Sequence, residues 1–317
     1  MNAPLIKLSI NHLLRFADAF SGIEVYIPVN EKFIRLNYSQ DQFVDILRKL
    51  QQKNVEYIYV NESDSRFIVE HVSKSLNVKT SQDPKTLNTN VVGTLSSAHE
   101  NIKFIMTQMG IDHETLKLLK AINKRSLSLL SESPTIFAIV KEFKNNCSDE
   151  FFRVILTNYI MSLVIDKFAW ASDQVKMKGA LASFMCDMIL NKEDFHHFRE
   201  WRLSGGQLHE KIRSHPEEIS KKLKLNRSSI PHETITIIEQ HHERPNGTGF
   251  PHGINGTKFN QLTAIFIVCQ QFTEHLHESN YDFKKRTQII SDLQHKYDYS
   301  TCKVFRKALN ALVRVVN

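Results

Sequence analysis

From about residue 94 almost to the C-terminus, apolar residues recur at helical spacing, and this pattern constrains the fold more than any other feature of the chain. The spacing predicts helices over about 94–109, 113–131, 135–145, 149–170, 174–191, 207–223, 232–242, 259–277, 281–296 and 302–315. No internal repeat organises them. The longest apolar run, Leu262 to Cys269 interrupted by Thr263, falls far short of the ~18 residues needed to cross a bilayer. The N-terminus carries no charged-then-apolar leader with a small-residue cleavage site, so the expectation is a soluble cytoplasmic protein with no membrane partner. Cys147, Cys186, Cys269 and Cys302 are scattered, include no C-x-x-C pair and outline no disulfide framework.

The first 78 residues read differently. Ile23 to Ile27 alternates as a half-buried strand should, with Pro28 expected to close it, and Lys32 to Leu36 is a partner across a short turn. Ser39 or Asp41 is an expected cap for a helix carrying Phe43, Val44, Ile46, Leu47 and Leu50. Val55 to Val60 reads as a further strand, and Phe67, Ile68, Val69 and Val72 as a last helix. Residues 79–93 are polar and poor in large apolar side chains, hence a linker. The expected architecture is mainly α: a small N-terminal α/β module over 1–78, the linker, and an all-α domain over 94–317.

A net charge of +7 suits an anionic partner, but the basic residues are dispersed apart from short clusters such as Lys284-Lys285-Arg286. No zinc-finger spacing or RNP-like aromatic motif is present, so no specific nucleic acid is expected. Glycine and histidine are distributed more informatively. Four of the 10 glycines, Gly247, Gly249, Gly253 and Gly256, fall within ten positions, and 8 of the 15 histidines lie between His196 and His252.

Both concentrations meet in HHERPNGTGFPHGING, residues 241–256, where two adjacent histidines end an apolar-striped helix and open a glycine-rich loop. Neighbouring helix positions are ~100° apart, so two imidazoles converge on a metal only if other elements complete the shell. Taken alone, the pair reads either as a polar helix terminus or as two ligands.

The order of features resembles the HD-GYP family, bacterial relatives of the HD-type metal-dependent phosphohydrolases. In that family a His-His-Glu-Arg run, a glycine-rich turn ending in Gly-Tyr-Pro and a Gly-x-x-Gly follow in this order. His215-Pro216, 26 positions before His241, is similar to the family's His-Pro element. Ala180 to Asp187 resembles the helix that ends in His-Asp, and Ala264 to Phe272 the helix that contributes a late Asp. The resemblance covers residues 150–290, and the module before it is similar to one found ahead of some HD-GYP domains.

The resemblance implies two or three metal ions, commonly iron or manganese, with a hydroxide bridging two of them that attacks cyclic di-GMP. Carried over residue by residue, the first site is dismantled: no histidine lies between His113 and His196, Cys186 stands for the His of His-Asp, and Gln270 stands for the late Asp. Leu190 replaces the lysine after His-Asp, and Phe250 replaces the tyrosine of Gly-Tyr-Pro. Asp187, His215, His241 and His242 keep the second site, a mononuclear shell for iron, manganese or zinc or else a satisfied polar core.

The functional expectation is a degenerate, catalytically inactive HD-GYP regulator of cyclic di-GMP-type signalling, with a mononuclear phosphohydrolase as the alternative. No residue is assigned a catalytic role. Arg244, Asn246, Gly247, Gly249, Phe250 and Pro251 form the expected interaction loop, with Phe250 offering an apolar ring to a partner. Expected partners are a diguanylate cyclase (GGDEF) or another signalling protein, cyclic di-GMP, and a second copy of the chain.

Overall fold

The computed structural model describes residues 5–14, 23–30, 32–64, 67, 89–109, 113–131, 135–225, 230–297 and 302–316. The chain forms two compact units, Met1–Asp83 with Glu100–Leu118, and Pro84–His99 with Leu119–Asn317. A small N-terminal α/β module is followed by helical structure, as the apolar spacing requires.

The module contains β1 (Leu5–Ser9), α1 (Ile10–Leu14), β2 (Val25–Val29), β3 (Lys32–Arg35), α2 (Phe43–Gln52) and β4 (Tyr57–Asn61). The strands form one antiparallel sheet in the order β1-β4-β2-β3. Ile58 and Val60 alternate inward on β4, and with Val25, Phe43 and Leu47 they are almost fully buried.

Three local expectations are corrected. Pro28 does not close β2 but lies inside it, opposite Phe33 of β3. β4 pairs with β2 only at Val25 and Tyr26, so no second neighbour needs the N–H that Pro28 lacks. Neither Ser39 nor Asp41 caps α2. The cap residue is Gln42, without a side-chain bond, at the end of a 3-10 turn. Val55 does not begin β4, because its N–H closes the end of α2 on the Leu50 carbonyl at 3.0 Å. The expected helix through Ile68, Val69 and Val72 lies outside the described residues. Of the expected linker, residues from Thr89 onward are already helical.

The remaining helices are α3 (Thr89–Met109), α4 (His113–Ser131), α5 (Ile136–Phe143), α6 (Asp149–Ile165), α7 (Asp173–Met185), α8 (Lys192–Ser204), α9 (Glu210–Leu225), α10 (His232–Gln240), α11 (Gln261–Glu278), α12 (Arg286–Tyr297) and α13 (Lys303–Val316). Helix α11 is the spine of its unit. It is buried on all sides, every residue from Leu262 to Glu274 being buried, and it packs against α6, α7, α10, α12 and α13. Complete burial of Phe266 and Phe272 contributes roughly 1.5–3 kcal/mol each.

Helix α6 starts where Ser148 accepts the Phe151 N–H, and α7 where Ser172 accepts that of Val175. Helix α8 was not expected from the apolar pattern, because Phe195, Phe198 and Trp201 are spaced among charges and histidines. It is set by a capping box: Asn191 accepts the Asp194 N–H, and Asp194 accepts that of Asn191.

Candidate metal centre

Asp187, His215, His241 and His242 each place one ligand atom within 4.8 Å of all the others, and among the described residues no other group of His, Cys, Asp and Glu does so. Local backbone chemistry positions them. Asp187 follows Cys186, the C-cap of α7, in a turn closed by the Leu190 N–H on the Asp187 carbonyl. This ends the helix short of the expected residue 191.

His215 lies inside α9, directly before Pro216. The proline has no N–H for the carbonyl four residues earlier, that of Ile212. His215 Nδ1 takes that carbonyl instead, at 2.6 Å. His241 is the C-cap of α10, where the last carbonyls lack helical partners, and its Nδ1 meets the Ile238 carbonyl at 2.7 Å. A carbonyl can only accept, so each ring donates its Nδ1–H and turns its Nε2 towards the centre.

Those two Nε2 atoms stand 3.2 Å apart, and Asp187 Oδ1 lies 3.2 Å from the first and 3.5 Å from the second. With both Nε2 atoms deprotonated, three lone pairs face one another and repel unless a cation sits among them; without a metal, the proton of an imidazolium takes that place and is donated to Asp187. Their separations also fit ligands about 2.1 Å from one ion, whose edges are about 3.0 Å in an octahedron and about 3.4 Å in a tetrahedron. His242 Nε2 is buried without a hydrogen-bond partner, an orphan that coordination would satisfy. The donor set of three imidazoles and one carboxylate therefore fits a metal ion.

Burial would raise the Asp187 carboxyl, but hydrogen bonds and charge from His215 and His241 outweigh it and hold the group well below the usual carboxylate range. Burial pushes His215 below the ordinary imidazole value despite the opposing pull of Asp187. His242 is driven well below it by burial, with His241 and His215 adding to the shift. All of these shifts favour the ionisation states that ligate.

The other side of Asp187 is chemically different. Cys186 is 2% exposed, donates weakly to the Ser183 carbonyl and accepts from Gln270 Nε2 at 3.8 Å. Burial, reinforced by Asp187, pushes its thiol well above the ordinary value, so it stays protonated. Gln270 Oε1 is buried without a partner. Leu190 is buried as an apolar side chain.

Beyond His242, Glu243 is buried, and its carboxylate accepts the backbone N–H groups of His252, Gly253 and Ile254 at 2.6, 3.1 and 3.1 Å. This clasp folds the glycine-rich loop back on itself, and Asn246 bridges Asn255 across it. Gly249 passes so close to the chain that a Cβ there would lie 2.3 Å from the Arg244 nitrogen, and Gly253 takes φ +61°.

Phe250 does not offer its ring to solvent, which corrects the expectation: it is 7% exposed, stacks on His242 at 4.6 Å and meets Phe198 and Trp201 edge-on. Pro251 follows it half-buried, whereas Asn246 is exposed and Gly247 and Gly249 are partly exposed. Arg244 lines a small cleft with Arg202, His241 and His242.

Sequence reasoning passed over helix α8 altogether. Its Phe198 touches the edge of His242 at 5.0 Å, and its Arg202 pairs with Glu274 at 2.6 Å and Glu278 at 3.3 Å. The signal that would have found it is the Asn191-x-x-Asp194 cap.

Among the described residues no helix is long and apolar enough to cross a membrane. No family model matches the chain, and no curated protein matches it. Among solved structures it is similar to Bd1817, an HDG"Y"P protein from Bdellovibrio bacteriovorus, with a TM-score of 0.55 and 13% identity over 99% of each chain. The order of elements, the histidine cluster at the end of α10 and this likeness agree: the chain has an HD-GYP-like fold.

Proposed function

We propose that the chain is a degenerate HD-GYP regulator that binds one metal ion and does not hydrolyse cyclic di-GMP, acting through a protein partner or as a nucleotide sensor. The observation that carries this reading is the asymmetry about Asp187. Three imidazoles converge on one side, and a protonated thiol and a neutral amide occupy the other. A bound ion would supply Lewis acidity at the histidine side. Cys186 and Gln270 provide no anionic ligand for a second ion, and without one a bridging hydroxide lacks its second activating charge. Leu190 has no proton to give a leaving group, and Phe250 has no hydroxyl.

The retained loop supports recognition, because loops held on a rigid helical scaffold often carry binding. Its exposed edge around Asn246 and Thr248, rather than the buried Phe250 ring, is the surface offered to a diguanylate cyclase or another signalling protein. Hydrolysis at a single ion is the second reading, favoured by the 24% exposure of the Asp187 side chain, which leaves the centre open to water. Metal content and cyclic di-GMP turnover measured on one purified sample separate the two. One ion per chain without turnover supports the regulator, and turnover abolished by His241→Ala supports the mononuclear enzyme.

A further inference from the structure

Two adjoining clefts open on Asp187, and both are walled by Arg153 of α6, Phe195 of α8 and Glu274 of α11. Arg153 is set apart from the other charges there. Its Nε is buried without a hydrogen-bond partner, its guanidinium lies 4.8 Å over the Phe195 ring, and among the described residues it forms no ion pair. Of the carboxylates that wall these clefts, Glu150 stands one turn before Arg153 without forming an ion pair with it, Glu274 is engaged by Arg202 at 2.6 Å and Gln271 at 2.9 Å, Glu278 by Arg202 and His275, and Asp187 by His215 and His241. An arginine always carries its charge, and a partly desolvated guanidinium without a counter-ion is costly. Arg199 brings a further positive charge to the same wall.

We propose that Arg153 is the anion-recognition residue of this cleft and that it takes a phosphate group, free or esterified, beside the metal centre. A guanidinium presents paired N–H donors that match two phosphate oxygens. The phenyl ring beneath fixes its plane and leaves its edge for the ligand. The inference rests on the metal reading above, since the Asp187 carboxylate repels a phosphate until a divalent cation reverses the charge of the cluster. The anion then lies between two positive groups, one from the ion and one from Arg153, at the side of Asp187 where Cys186 and Gln270 supply no charge.

The test is calorimetric titration of the full chain, metal-loaded and chelator-treated, with orthophosphate and with cyclic di-GMP, alongside metal content by elemental analysis. Arg153→Gln should weaken both ligands roughly 10- to 100-fold, as expected for loss of a charged hydrogen-bond pair, with metal content and melting temperature unchanged. Arg153→Lys, which keeps the charge, should retain more affinity than Arg153→Gln and guards against a folding artefact. Tighter binding of cyclic di-GMP than of orthophosphate identifies the esterified group as the ligand, and equal binding identifies free phosphate. If Arg153→Gln binds like the parent, or if protein holding one ion per chain binds neither ligand, the inference is overturned while the metal reading stands. Protein that takes up no metal yet binds phosphate through Arg153 overturns the metal reading, and with it the need for an ion at Asp187, while Arg153 remains the anion-recognition residue. Protein with neither metal nor phosphate binding overturns both.

Discussion

The Nε2 atoms of His215 and His241 face each other at 3.2 Å because a backbone carbonyl holds each ring from behind, one freed by a proline and the other by a helix end. A pair of histidines 26 positions apart is thus aimed by main-chain geometry, with Asp187 closing the third side.

Metal stoichiometry follows from this arrangement. One ion per chain is expected, and His215→Ala or His241→Ala should release it and lower the melting temperature. A ligand that binds only the folded state, at 100 times its Kd, contributes about 2.7 kcal/mol. Elemental analysis finding two ions per chain would contradict the assignment, and unchanged melting in both variants would point to a polar core without metal.

Pro216 is expected to matter for affinity rather than for helix formation. Pro216→Ala supplies an N–H to the Ile212 carbonyl and competes with His215 Nδ1 for it. Helix content should hold or rise, while metal affinity falls about 10- to 100-fold, the usual effect of losing a partner that orients a ligand. Equal affinity in a competition titration would refute this role.

Acidification should destabilise the metal-free protein from the imidazole range downward. His215 and His242 have folded values below the ordinary ~6.5, so the unfolded chain binds protons that the folded chain refuses. Their contribution is complete above that value and is lost as pH falls through the folded values. Asp187 behaves in the same direction at lower pH, its contribution present above ~3.9 and lost beneath its depressed value. His242→Phe should reduce the acid-side slope of unfolding free energy by up to about 1.4 kcal/mol per pH unit. A slope identical to the parent's between pH 4 and 6.5 would count against the buried neutral imidazole.

The glycine loop should tolerate no side chain at its tightest point. Gly249→Ala forces a Cβ against the Arg244 nitrogen and the Glu243 backbone, costing about 1–3 kcal/mol. Chemical denaturation at constant m-value measures it. A neutral result would mean that the loop packs more loosely than the geometry indicates.

Much of the fold was legible because its information is local. The ten helices predicted from residue 94 onward all correspond to observed ones, and the four candidate ligands stood out by residue type and order before their geometry brought them together. What escaped was non-local or masked by polarity. Helix α8 hides its buried Phe198 among His196, His197, Arg199 and Glu200, so its apolar stripe is too thin to register, and only its cap announces it. Pro28 looked like a strand terminator because nothing in the sequence says that β4 leaves it unpaired. Phe250 looked like a surface ring because its neighbours His242, Phe198 and Trp201 reach it from other parts of the chain.

The Glu243 clasp has one further consequence. A single peptide unit separates the carboxylate that grips the loop from His242, whose ring lies beneath Phe250 of that same loop. If the histidines hold an ion, order in the loop and occupancy at the centre draw on one reservoir of conformational freedom, and thermodynamic reciprocity binds them. Whatever stilled His252 to Ile254 from outside would then lower the entropic toll of seating the ion, and the seated ion would present a quieter surface in return.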